Sequence, residues 1–195
     1  MSYPFDLPAT QFADLIMSLA ELARTKDDPF DEHFPDRLPV GKAYAFDKIK
    51  DRVCVYRSPR AKQKLRSSDA FLPSMEETGD WYFIDFKNQR PDNIQSVKDP
   101  DRNALMQKAF DSLTIAAMTF GRHLSMRQIQ ERSVFIVVYP KGDYSEKFLA
   151  VLGELAAIGN KPLWLLDKLT DNGFYKHVLT IDETKFSTLH LPYLA

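Results

Sequence analysis

Residues 81–89 read Trp81-Tyr82-Phe83-Ile84-Asp85-Phe86-Lys87-Asn88-Gln89. Aromatic side chains and an isoleucine dominate the first six positions, the composition of a β-strand. Alternation puts Trp81, Phe83, Asp85, Lys87 and Gln89 on one face, and Tyr82, Ile84 and Phe86 on the other. Both faces start apolar, and the first becomes charged towards its end. A buried ion costs several kcal/mol unless it is paired, so Asp85 and Lys87 need partners. A divalent cation would satisfy Asp85, and a polarised water or a phosphate would satisfy Lys87. The plain alternative is that both pair with neighbouring side chains near a sheet end, the usual fate of an isolated Asp-x-Lys.

Working outward, Asp69-Ala70-Phe71-Leu72 closes at Pro73 and reads as a short strand preceding this one. On the far side, Pro100 suits the first position of a helix with Asp99 as its N-cap. Leu105, Ala109, Leu113, Ala116, Ala117 and Phe120 form an apolar stripe at helical spacing, and Gly121 ends it. Val134-Phe135-Ile136-Val137-Val138-Tyr139 is apolar without alternation, as a strand covered on both faces should be. Strand, long helix and buried strand in that order imply a crossover connection in a mixed sheet. The fold class expected is α/β (α+β), a mixed central β-sheet flanked by helices.

The remaining segments are read more coarsely. Phe12, Leu15, Ile16, Leu19, Leu22 and Ala23 predict one amphipathic helix from about Thr10 to Lys26. The stretch 29–41, rich in proline and acids, is expected to be an ordered loop. Lys42 to Tyr56 reads as strand-like around a polar turn at 47–52. Asp143 to Gly159 predicts a second helix. Leu163–Leu166 and Val178–Ile181 predict short strands.

The 195 residues hold 26 Lys plus Arg against 27 Asp plus Glu, with one cysteine, seven glycines and four histidines. At roughly 150 residues per domain, one domain is expected, with a core at about 10–140 and an extension at 141–195. Cys54 has no internal partner for a disulfide, which points to the reducing cytoplasm. The opening MSYPFDLPAT lacks a basic n-region and an apolar h-region, so no secretory leader is expected. No run approaches the ~18 apolar residues of a membrane span. The scattered glycines make neither a phosphate-binding loop nor a dinucleotide fingerprint, and Asp31-Glu32-His33 is not a zinc helix. The net charge of −1 excludes a wholly basic nucleic-acid coat, but it averages unlike regions. An acidic stretch before Gly41 offsets a run, Arg57 to Arg66, that carries five positive charges and no acid.

Asp69 leads Asp85 by 16 positions, and Lys87 follows two residues later. This acid, then acid-x-lysine arrangement resembles the core of the PD-(D/E)XK nuclease-like superfamily. Arg66-Ser67-Ser68-Asp69-Ala70-Phe71-Leu72, Tyr82-Phe83-Ile84-Asp85-Phe86-Lys87-Asn88 and Asp111-Ser112-Leu113 look like an uncharacterised bacterial group within it that shares a YFI(E/D)FKN pattern. The resemblance spans about Thr10 to Tyr139. Ser68 stands where that pattern usually has proline, and Asp85 where glutamate is commoner.

The resemblance implies a restriction-endonuclease-like core and a metal-dependent nuclease cleaving phosphodiester bonds. Asp69 and Asp85 would hold Mg²⁺ or Mn²⁺, helped by the Phe86 carbonyl and waters. Lys87 would position the water or stabilise the transition state, and Gln89, on the same face, would orient water or phosphate. A third acid often comes from the first helix. Glu21 is the only acid well inside the predicted one, although on its solvent side. Arg57, Arg60, Lys62, Lys64 and Arg66 would neutralise the phosphates of bound DNA or RNA, and many such nucleases pair as homodimers. The alternative is a catalytically inactive module of the same fold that binds nucleic acid or a protein partner.

Overall fold

The computed structural model describes residues 11–24, 31–57, 65–74, 76, 78–88, 100–121, 123–142, 144, 146, 149–150, 154 and 162–194. In chain order the main elements are β1 (Ile16–Ser18), α1 (Leu19–Ala23), β2 (Lys42–Ala45), α2 (Phe46–Arg57), β3 (Ala70–Leu72) and β4 (Trp81–Phe86). There follow α3 (Pro100–Thr119), α4 (Met126–Gln130), β5 (Ser133–Tyr139), α5 (Asp167–Asp171), β6 (His177–Asp182) and α6 (Glu183–Phe186).

The six strands lie in one sheet in sequence order. Neighbours from β1 to β4 are antiparallel, and β4, β5 and β6 run parallel. The change falls at β4 because a parallel neighbour requires a long crossover, and α3 supplies it. The fold is therefore a mixed sheet flanked by helices, of the α+β class. All seven residues of β5 are buried, in keeping with its unbroken apolar run.

The alternation read from 81–89 decides what covers each face. Trp81 and Phe83 join Phe71, Phe135 and Val137 beneath Leu105, Ala109, Leu113 and Ala116 of α3. Ile84 and Phe86 join Ile136, Val138 and Phe186 on the other face, with Leu19, Ala23 and Phe34. Burying one such large side chain contributes about 1.5–3 kcal/mol. A slip of one residue in β4 would turn this whole set over, so the register is strongly specified. That register also directs Asp85 to the α3 face.

Three sequence expectations give way to tertiary pairing. The amphipathic helix from Thr10 is interrupted: Ala13–Leu15 is a 3₁₀ turn, Ile16–Ser18 pairs with Lys42–Tyr44 as β1, and only Leu19–Ala23 is α-helical. Ser18 closes this short helix with a reciprocal capping box to Glu21. A strand-like 42–56 is replaced by β2 followed directly by α2. There Phe46 and Ile49 are buried while Asp47 and Lys48 face solvent, a helical rather than a two-residue period.

Leu163–Leu166 is not a strand but a 3₁₀ turn over Leu163–Leu165. Trp164 adopts φ 61° there and passes its carbonyl to Arg102 Nε at 2.7 Å. The helix expected over 143–159 and the Asp99 cap lie largely or wholly outside the described residues. Gly121 does follow α3. A Cβ at this position would fall 2.6 Å from Ile129 Cδ1, so close approach of α4 explains the glycine.

Candidate functional site

Asp85 lies two positions beyond Phe83 on the α3 face, with its side chain fully buried. The β3–β4 pairing runs from Leu72↔Tyr82 to Ala70↔Ile84, and Asp69 and Asp85 lie just beyond its last pair, one on each arm. Asp69 is held on three sides. Its N–H donates to Ile84 O at 3.0 Å, its carbonyl accepts from Phe46 N–H at 3.1 Å, and its Oδ2 accepts from Phe86 N–H at 2.7 Å. Two acids facing each other across a hairpin repel, so the arrangement requires counter-charge.

Two lysines provide it. Lys108, from the middle of α3, places Nζ 3.1 Å from Asp69 Oδ1 and 2.5 Å from Asp85 Oδ2. Lys87 extends the parallel ladder through its N–H to Val138 O, and its Nζ is 3.1 Å from Asp85 Oδ1. That contact is an ion pair out of line for a hydrogen bond, so Oδ1 has no hydrogen-bond donor among the described residues. The Asp69, Lys108 and Lys87 side chains keep 27%, 20% and 17% of their surface exposed, so the cluster opens to solvent on their side.

Burial, then the charge of Asp85, pushes the Asp69 carboxyl up to about 6, although Lys108, Lys87 and the Phe86 N–H pull the other way. Burial acts on Asp85 in the same upward sense, but Lys108 and Lys87 outweigh it and hold this carboxyl below the ordinary aspartate range. Burial would lower Lys108, yet the two carboxylates reverse the effect and fix it as an ammonium. The cluster thus has an ionised Asp85, a permanently charged Lys108 and an Asp69 that takes up a proton near pH 6.

Further contacts hold this arrangement in place. Asp111 Oδ2 accepts from Arg66 N–H at 2.8 Å, and the buried Ser112 Oγ accepts from Ser68 N–H at 2.9 Å. The Asp111-Ser112 pair therefore ties the segment entering β3 to α3, three and four residues beyond Lys108. Asn88, also buried, accepts from Asp31 N–H at 3.0 Å and donates to Asp31 O at 2.8 Å. It fixes the 31–38 segment to the end of β4.

The structure brings Asp69, Asp85 and Lys87 together. Glu21 is not with them. Its exposed carboxylate accepts from Ser18 N–H and Oγ at 3.0 and 2.7 Å, bonds that draw it below the usual glutamate range. Register explains the separation: Ser18 pairs with Lys42, at the opposite end of β2 from the Ala45↔Ala70 pair next to Asp69. Arg66 is exposed beside β3. Arg57 ends α2, and its side chain, with Arg60, Lys62, Lys64 and Gln89, lies outside the described residues.

No protein-family model, curated protein or solved structure matches this chain.

Sequence reasoning missed Lys108. A signal was present, since Lys108 falls three residues after Leu105 and four before Ser112, within the buried stripe of α3. Lysine is almost never buried there without a partner. Among the described residues, no group of three or more His, Cys, Asp or Glu converges on one point. The donor set is two carboxylates, which suits Mg²⁺ or Mn²⁺, ions that commonly bind through one or two carboxylates and keep water or phosphate in their other positions. Asp85 Oδ1, which takes no hydrogen-bond donor but lies 3.1 Å from Lys87 Nζ, is an oxygen of the right hardness for such an ion.

Proposed function

We propose that the protein is a metal-dependent nuclease of the PD-(D/E)XK type, hydrolysing phosphodiester bonds in DNA or RNA. The observation that carries this reading is the convergence of Asp69 and Asp85, from the two arms of one hairpin, on a single point, with Lys87 beside them. A mixed sheet whose hairpin precedes the crossover helix also supports it. Asp69 and Asp85 would hold one Mg²⁺ or Mn²⁺. Bound there, the ion supplies Lewis-acid activation of water and neutralises phosphate charge. Lys87, two residues from Asp85 and partly open to solvent, supplies a point charge against the oxyanion developing on the phosphate. Exposed Arg66, last residue of the basic run, would lie against the nucleic-acid backbone.

Two observations favour the second reading, an inactive module of this fold that binds nucleic acid or a protein. Lys87 and Lys108 already balance both carboxylates, and Glu21 adds no third acid. The deciding experiment incubates the protein with single- and double-stranded DNA and RNA in Mg²⁺ or Mn²⁺, with EDTA controls and the Asp85→Ala and Lys87→Ala variants. Metal-dependent cleavage lost in both variants supports the nuclease. Equal cleavage by both variants removes the site assignment. Absence of cleavage together with absence of metal binding leaves the binding module.

A further inference from the structure

Lys108 Nζ is the atom on which both carboxylates converge, 3.1 Å from Asp69 Oδ1 and 2.5 Å from Asp85 Oδ2. A cation shared by Asp69 and Asp85 would have to approach the place this ammonium holds. With both acids ionised, the four side chains Asp69, Asp85, Lys87 and Lys108 sum to zero charge. A divalent ion entering beside a retained Lys108 would give the cluster a double positive charge at contact distance. The backbone that carries Lys108 does not yield, because Leu105 and Ala109 on either side of it are fully buried. Its four-carbon stem does, and the 20% of the side chain left exposed gives the ammonium a way out.

We propose that Lys108 is a built-in competitor for the divalent cation: its ammonium closes the Asp69–Asp85 pair, and metal binds by displacing it towards solvent. This rests on the reading of Asp69 and Asp85 as cation ligands. Lys108 then sets the metal concentration at which the site fills. A site that is binding-competent a fraction f of the time binds its ligand 1/f more weakly than its intrinsic affinity. A Lys108 bridge occupied 90–99% of the time would therefore weaken Mn²⁺ binding about 10- to 100-fold.

The test uses Mn²⁺ alone, titrated calorimetrically and by electron paramagnetic resonance into the wild-type protein and Lys108→Met. The variant should bind Mn²⁺ about 10- to 100-fold more tightly, and Asp85→Ala in the same background should abolish binding. Equal or weaker affinity in Lys108→Met, or no Mn²⁺ binding by either protein, overturns the inference.

A second measurement needs no variant. Reductive methylation of the wild type, read by peptide mass spectrometry, should find Lys108 protected without metal and reactive at saturating Mn²⁺. Protection that persists when Mn²⁺ is bound overturns the inference even if Lys108→Met does not fold. Tighter Mn²⁺ binding by Lys108→Met without cleavage by either protein keeps the competitor and removes the nuclease. Metal-dependent cleavage by the wild type with unchanged affinity in Lys108→Met does the reverse.

Discussion

Asp69 Oδ2 accepts the Phe86 N–H at 2.7 Å, which ties its carboxylate to the strand that carries Asp85. The hairpin therefore sets the separation of the two acids, and α3 supplies the compensating cation. The two aspartates nevertheless differ in kind. Asp85 is fully buried and contacts both lysines, whereas Asp69 keeps a quarter of its surface and, of the two lysines, contacts Lys108. The proton affinity of the pair is concentrated in Asp69, because burial and the charge of Asp85 act on it against less counter-charge than Asp85 receives.

The first prediction follows from the raised Asp69 carboxyl, at about 6 folded against 3.8 for the free group. Between these values the folded state binds more protons than the unfolded one, so this group's contribution to stability falls as pH rises. The stability of the wild type relative to Asp69→Asn should drop by about 1–3 kcal/mol from pH 4 to pH 7. Urea unfolding at several pH values measures it. A relative stability that stays flat over that window would show Asp69 to be an ordinary surface carboxylate.

Lys108 and Asp85 should be strongly coupled. Lys108→Met removes the better-aligned partner of a fully buried carboxylate, and breaking such a pair costs about 3–5 kcal/mol. Adding Asp85→Asn removes the stranded charge and should recover part of that loss. The double-mutant cycle should return a coupling of about 1–3 kcal/mol. Additive losses would mean that the 2.5 Å contact carries no net energy.

The hairpin, the crossover helix and the buried strand were legible because each carries a strong apolar signal: the aromatic strand from Trp81 to Phe86, the helical stripe of α3, and the unbroken run from Val134 to Tyr139. The N-terminal third was not. Ile16–Ser18 has helical spacing but is claimed by the edge of β2, and a three-residue strand leaves no period of its own to read. Phe46 and Val53 fit a strand and a helix equally in so short a window, and the helix is decided by what Phe46 packs against, Phe71 and Phe83. At the site, spacing along the chain identified the two acids and Lys87. It missed Lys108 because that residue comes from a different element, 21 positions beyond Lys87. Glu21 misled for a related reason: its spacing fits a helix face, but its partner is the Ser18 cap of its own turn.

Ser112 should matter out of proportion to its size. Ser112→Ala leaves the buried Ser68 N–H without its acceptor, a loss of about 1–3 kcal/mol. It also loosens the segment that delivers Asp69. Hydrogen exchange should accelerate selectively at the Ser68 amide, with the Phe86 amide following if Asp69 moves. Unchanged protection at Ser68 would show that this amide is held by something other than the α3 hydroxyl.

Asn88 separates structural support from chemistry. Its carbonyl and amide bond both the N–H and the C=O of Asp31, so Asn88→Ala strands two backbone groups at once. The cost should be about 1–3 kcal/mol, and Asn88→Asp should not restore it, because a carboxylate accepts from Asp31 N–H but cannot donate to Asp31 O. The Asn88 side chain bonds Asp31 and not the carboxylates, so Mn²⁺ affinity measured on the folded variant should stay within twofold of the wild type. Denaturation and Mn²⁺ titration of the same sample read both quantities. A large loss of Mn²⁺ affinity with stability intact would move Asn88 from the support of the 31–38 segment into the metal site itself.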